Sequence, residues 1–141
     1  MAKILELSSS LPTRSIAQGD TILTEGEKDG EILILISGTV EIRKDDKIVT
    51  AISSSGAIFG EVALLLNEGH SANAVALSDC EFHVMDNADD VMSKNPELYR
   101  EISKTLARRL TRVSEKVAEL LNRVEFEKDL NDFEMSLFWE D

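Results

Sequence analysis

Residues 58–75 read Ile58-Phe59-Gly60-Glu61-Val62-Ala63-Leu64-Leu65-Leu66-Asn67-Glu68-Gly69-His70-Ser71-Ala72-Asn73-Ala74-Val75. An apolar pair runs into a glycine, an acid and an unbroken apolar stretch. That order predicts a strand, a turn at Gly60 and a short helix ending near Asn67, after which Gly69 lets the chain reverse. At its plainest this is only a strand-to-helix turn. Such a turn also aims backbone N–H groups at whatever lies before the helix, which suits a phosphate. Glu61 at that mouth is placed to accept hydrogen bonds from a sugar hydroxyl, as acids do in other nucleotide sites.

Outward from this segment the first 95 residues read as β. The runs 21–24, 32–36, 39–43, 47–52, 73–77 and 81–85 are short and rich in Ile, Val and Thr. Gly and Asp separate them, and Asp45-Asp46 between two runs predicts a hairpin turn. Many short strands at close spacing mean a small barrel or sandwich-like roll.

A helix follows. Pro96 suits a first helical turn, with Asn95 as its N-cap. Leu106, Leu110, Val113, Val117, Leu120 and Val124 fall at steps of four and three, the heptad rhythm of a self-pairing helix, and a homodimer is expected through them. The alternative is a helix packed on its own barrel. Arg109, Lys116 and Arg123 share one flanking heptad position with no acids opposite, so they are expected to face the acidic barrel or an acidic partner. Arg108, Arg109 and Arg112 are read as solvated or internally paired rather than as phosphate contacts. The last 17 residues, 125–141, are acidic, and four of the chain's seven aromatics lie in the final 16. Phe133, Leu137, Phe138 and Trp139 suit either docking on a protein partner or covering the chain's own domain.

The 141 residues carry a net charge of −12, distributed as −9 over 1–95, +3 over 96–124 and −6 over 125–141. So acidic a chain is a poor general binder of nucleic acid or anionic membrane. One cysteine, Cys80, excludes an intrachain disulfide framework and is read as a small, buried or half-buried residue near a strand start. His83 sits between Phe82 and Val84 and is expected on the opposite strand face. The two histidines find no third ligand, so no metal is expected. No signal peptide or membrane span is visible, and a cytoplasmic location is expected. No nucleophile–base pairing stands out, so an enzyme is not expected.

The sequence closely resembles the cyclic-nucleotide-binding domain superfamily over roughly residues 11–124. Gly19-Asp20 with Glu25-Gly26-Glu27 looks like its first glycine pair, and Ile36-Ser37-Gly38-Thr39-Val40 like the turn of its β-roll. Phe59-Gly60-Glu61-Val62-Ala63-Leu64-Leu65 resembles the opening of its phosphate-binding cassette. Ala107-Arg108-Arg109-Leu110 and Ser114-Glu115-Lys116-Val117 resemble the dimerisation helix of the catabolite activator protein group. The resemblance implies an α+β fold: a jelly-roll-like β-roll at 1–95, a cassette helix, a long dimerisation helix at 96–124 and a tail at 125–141. It implies no cofactor but a ligand, cAMP or cGMP, held by residues from Phe59, Gly60, Glu61, Val62, His70, Ser71, Ala72 and Ser114. In that reading Glu61 takes the ribose 2′-hydroxyl, backbone amides near Gly60 meet the phosphate with Ser71 and Ala72, and the long helix caps the base.

Three departures stand out. His70 occupies the position of the family's phosphate-neutralising Arg, and no Arg or Lys lies between Lys47 and Lys94. Val113-Ser114 stands where that group has Thr-Ser. No helix-turn-helix sequence follows the seam. Three readings of the pocket therefore stay open: a cyclic nucleotide held without the Arg, a different small ligand, or an empty pocket in a dimeric interaction scaffold.

Overall fold

A continuous apolar run makes β3 (Ile32–Ser37) an inner strand of its sheet, with Ile32, Leu33, Ile34 and Leu35 all fully buried. The computed structural model describes residues 2–123. Val124 and the docking candidates Phe133, Leu137, Phe138 and Trp139 lie outside the described residues. The remaining elements, in chain order around β3, are α1 (Ala2–Ser8), β1 (Thr13–Ile16), β2 (Thr21–Leu23), β4 (Val40–Lys44), β5 (Lys47–Ile52), β6 (Ile58–Phe59), α2 (Glu61–Leu66), β7 (Asn73–Ala76), β8 (Cys80–Met85), α3 (Ala88–Lys94) and α4 (Pro96–Asn122).

The strands form two antiparallel sheets, ordered β1-β8-β3-β6 and β2-β7-β4-β5. This is the expected β-roll. Its interior is filled by Leu33, Leu35, Val40, Phe59, Ala74, Ala76, Phe82 and Val84. The Phe59 and Phe82 rings meet edge to face at 6.1 Å and 87°. Burial of a ring such as Phe82 contributes about 1.5–3 kcal/mol. Ile32 and Ile34 alternate with the interior residues and are buried on the other face of the same sheet. The helical segments supply Ile4, Ala88, Met92, Leu98 and Ile102 as further buried apolar residues.

Asp45 (φ 51°) and Asp46 (φ 61°) link β4 to β5 as a tight hairpin with both central residues left-handed, the geometry whose twist matches paired strands. Cys80 opens β8, buried, and its thiol donates to the carbonyls of Thr39 and Ser78. Burial pushes that thiol's pKa up. Phe82 and Val84 are buried while His83 between them is half-buried, as strand alternation requires.

One strand and two helices add to the sequence reading, while β6 is the short strand expected before Gly60. β1 carries a single large apolar residue, Ile16, so it offers no periodic signal. α1 and α3 are seven residues each, too short to show a full amphipathic repeat.

The chain divides into two compact units, one ending at Ile102 and one beginning at Ser103. In the first, Lys3 ties α1 to the opening of α4 through Glu97 at 3.2 Å and Glu101 at 3.9 Å. Asn95 takes the N-cap position, its carbonyl accepting from the Tyr99 N–H. Its side-chain amide nitrogen donates back to the Val91 carbonyl of α3 at 2.6 Å, tying the two helices at their junction. In the second unit Leu110, Val113 and Leu120 are exposed, and Leu106 and Val117 half-buried. Lys116 and Arg123 both pair with Glu119 of their own helix, at 3.6 and 2.8 Å. These short-range helical pairs engage two of the three charges expected to face the barrel or a partner.

Candidate functional site

The cassette begins where β6 ends. Gly60 has φ 90°, left-handed, at the N-cap of α2. A Cβ there would also lie 2.6 Å from the Glu31 carbonyl oxygen. Two constraints therefore demand glycine: the backbone sign and the close passage of the 28–31 segment. Glu61 follows in the first turn of α2, only 3% exposed. Helix α2 stops after six residues because Asn67 turns left-handed (φ 55°, ψ 47°). The Asn67 and Glu68 N–H groups then satisfy the Leu64 and Ala63 carbonyls at 3.3 and 2.9 Å.

In the return from α2 to β7, Gly69 needs no left-handed φ. Its role is contact. A Cβ at Gly69 would sit 2.4 Å from the Gly26 carbonyl oxygen. Beside it the Gly26 N–H donates to the His70 carbonyl and the His70 N–H to the Glu27 carbonyl, each at 2.8 Å. Gly26-Glu27 and the end of the cassette are thus one local structure. The Asn73 Oδ1 accepts from the Glu25 N–H at 2.8 Å and extends this seam into β7.

His70 is buried, and its Nε2 lies 3.0 Å from Asp29 Oδ2. Burial works to raise the Asp29 carboxyl, but the His70 hydrogen bond and the Glu31 N–H outweigh it and hold its pKa below the ordinary value. Next to Asp29, the Arg14 guanidinium grips Glu31 with both nitrogens, at 3.0 and 2.7 Å. That fork lowers the Glu31 pKa despite partial burial. A cavity of about 590 Å³ opens here, lined by the 28–31 segment, Gly60, Ala63, Leu64, Asn67, Glu68, His70 and Asp89.

Of the residues singled out from sequence, Gly60 and His70 share this cavity. Phe59 is buried with its ring against Phe82, so its contribution is to fix β6. Val62 is exposed on α2, Ser71 is exposed and Ala72 half-buried in the return to β7. Ser114 lies on α4, where its hydroxyl donates to the Leu110 carbonyl at 2.9 Å. Several residues of the site carry no signal in the sequence reading, Lys28, Glu31 and Asp89 among them, and two bear on the chemistry. Asp29 is 41 positions from the histidine it holds. Lys44, at the end of β4, donates its ammonium to the Ser71 carbonyl. Alternation of Val40, Ile42 and Lys44 along β4 was the available signal for the second.

Among the described residues no group of three or more His, Cys, Asp or Glu is placed to hold a metal ion, and no helix is long and apolar enough to cross a membrane. What the arrangement offers is backbone amides, a buried acid and a nearby ammonium, which is equipment for binding.

Comparison with known proteins bears on the same segment. The family profile described as "Cyclic nucleotide-binding domain" matches residues 13–90, more than half of the chain. The chain is 33% identical over 108 residues to the voltage-gated delayed rectifier potassium channel KCNH1 of Rattus norvegicus, covering 74% of this chain and 11% of the channel. It is 32% identical over 78 residues to a cAMP-dependent protein kinase regulatory subunit of Eremothecium gossypii, covering 55% of this chain and 17% of that subunit. The chain thus spans a small part of the curated relatives it matches. Among solved structures, the catabolite activator protein of Thermus thermophilus superposes with a TM-score of 0.67 at 25% identity, over 85% of this chain and 60% of that one. On the profile match, and with the roll and cassette it describes present in the structure, the chain belongs to the cyclic nucleotide-binding domain family.

Proposed function

We propose that this chain is a non-enzymatic regulatory module that binds a cyclic mononucleotide, cAMP or cGMP, and passes its state to a protein partner through the C-terminal helix and the tail at 125–141. Domains of this family are regulatory, non-catalytic modules. The observation that carries the reading is the cassette: a left-handed Gly60, a buried Glu61 directly after it, and the Ser71-Ala72 return beside Lys44. Glu61 takes the ribose 2′-hydroxyl, and the amides near Gly60, Ser71 and Ala72 take the phosphate. The exposed apolar residues Leu110, Val113 and Leu120 support self-association of α4 as a homodimer.

A second reading has its own observation. His70, at the position where the family resemblance implies an arginine, is engaged with Asp29. In that reading the pocket holds no cyclic nucleotide and the domain is a dimeric interaction scaffold. Isothermal titration with cAMP and cGMP separates the two. Heat with a micromolar midpoint supports the receptor, and silence up to millimolar ligand supports the scaffold. For a silent protein, binding gained on His70→Arg would trace the loss to one missing charge.

A further inference from the structure

We propose that Lys44 supplies the positive charge for the ligand phosphate that the cassette itself lacks, reaching in from strand β4. This rests on the nucleotide reading above and adds to it the residue that makes an anion tolerable in an acidic roll.

The first support is the face on which Lys44 stands. Val40 is fully buried and Ile42 packs against the roll interior, and Lys44 follows them at the same strand period. Glu41 and Arg43 alternate onto the other face and pair with each other there. The second support is register. Arg43 lies opposite Asn73 in the β4–β7 ladder, which brings the next residue of β4 level with the end of the cassette. The ammonium accordingly reaches the Ser71 carbonyl, in the segment expected to meet the phosphate.

The third support is what the other basic groups are doing. His70 is buried against Asp29. Arg14 is committed to Glu31, Arg43 to Glu41, Lys94 to Asp90 and Lys3 to Glu97. Lys28 borders the cavity and stands in sequence directly beside Asp29. Lys44 instead donates to a neutral carbonyl, and it stands directly opposite Lys47 across the hairpin. Like charges placed directly opposite on a sheet repel. An anion between them and the cassette relieves that repulsion. An ionised acceptor also makes a hydrogen bond about twice as strong as a neutral one. The ammonium has three donors on a flexible stem, so it can take a phosphate oxygen and keep Ser71.

Titration calorimetry on the full chain with cAMP and cGMP tests this. Lys44→Met should weaken binding by about 10- to 100-fold, the usual effect of losing one hydrogen bond to a charged group. Lys44→Arg should keep most of the affinity. In the Lys44→Met background, His70→Arg should recover binding, because the charge returns from the cassette side. Adenosine, which lacks the phosphate, should bind equally to wild type and Lys44→Met. Lys44 is exposed at a strand end, so thermal melts should show both variants folded like wild type. Unchanged cyclic nucleotide affinity in Lys44→Met overturns this inference and leaves the nucleotide reading standing. No heat from wild type overturns both.

Discussion

Gly60 sets the geometry of the whole site. Any side chain there must adopt a left-handed backbone and displace the Glu31 carbonyl, which a Cβ would approach to 2.6 Å. The left-handed penalty alone is about 1–2 kcal/mol. The neighbour is backbone rather than a flexible side chain, so the clash adds to it. Gly60→Ala should therefore lose at least about 2 kcal/mol of stability in urea unfolding and should weaken ligand binding as well. A variant as stable as wild type would show that the 28–31 segment yields easily. Gly60 and His70, which line the cavity, were both legible in sequence because the cassette is contiguous. Asp29 was not, because it meets His70 through two backbone hydrogen bonds between the 26–27 and 69–70 segments, and no local pattern announces that pairing. The close approach of Gly69 to Gly26 is likewise invisible in sequence. A glycine in sequence does not reveal whether it serves a positive φ or a close approach.

At the scale of elements, the apolar runs declared themselves, even short ones such as β2 and α2, and the polar or non-repeating ones did not. β3 and β8 carry enough apolar residues to be read directly, and the Asp45-Asp46 turn was equally plain. β1, with Ile16 its only apolar residue, is held in the sheet by pairing with β8 rather than by its own composition. Helix α4 poses the functional question at this scale. Its apolar row has Leu110 at 61% and Val113 at 56% exposure, more than a soluble helix usually leaves uncovered in a row. If a second copy covers them, Leu110→Asp and Val117→Asp should each convert a dimer to a monomer in analytical ultracentrifugation. A dimer that survives both substitutions would place the interface elsewhere. The pairs of Glu119 with Lys116 and Arg123 lie along the helix, so they support its helicity without choosing a partner.

For the molecule as a whole, the net charge of −12 acts in two directions as pH falls. Protonation of exposed carboxylates relieves general repulsion. Protonation of Glu31 and Asp29 removes specific bonds. Glu31 is held low chiefly by its Arg14 hydrogen bonds; at Asp29 burial pulls the other way but His70 prevails. Both folded pKa values lie below their unfolded values. The unfolded chain therefore takes up protons first, and this part of the stability is fully present above about pH 5. It is lost as pH falls through about 4 and below the two lowered values. The melting temperature should drop over that window, and Glu31→Gln should flatten the drop while lowering stability at pH 7. An identical pH profile in Glu31→Gln would mean that the Arg14 fork contributes nothing. The fork is partly exposed, so its effect should be modest.

The cassette is fastened at both ends. Its start is wedged under the Glu31 carbonyl at Gly60, and its end is stitched to Gly26 and Glu27 through Gly69 and His70. A strip of backbone clamped at two points cannot swing like a flap. It can only bow between the clamps, at α2. The side chains on the outside of that bow are Val62, Leu65 and Leu66, all exposed. Whatever rests against those three would register a ligand as a small push rather than as a gate opening.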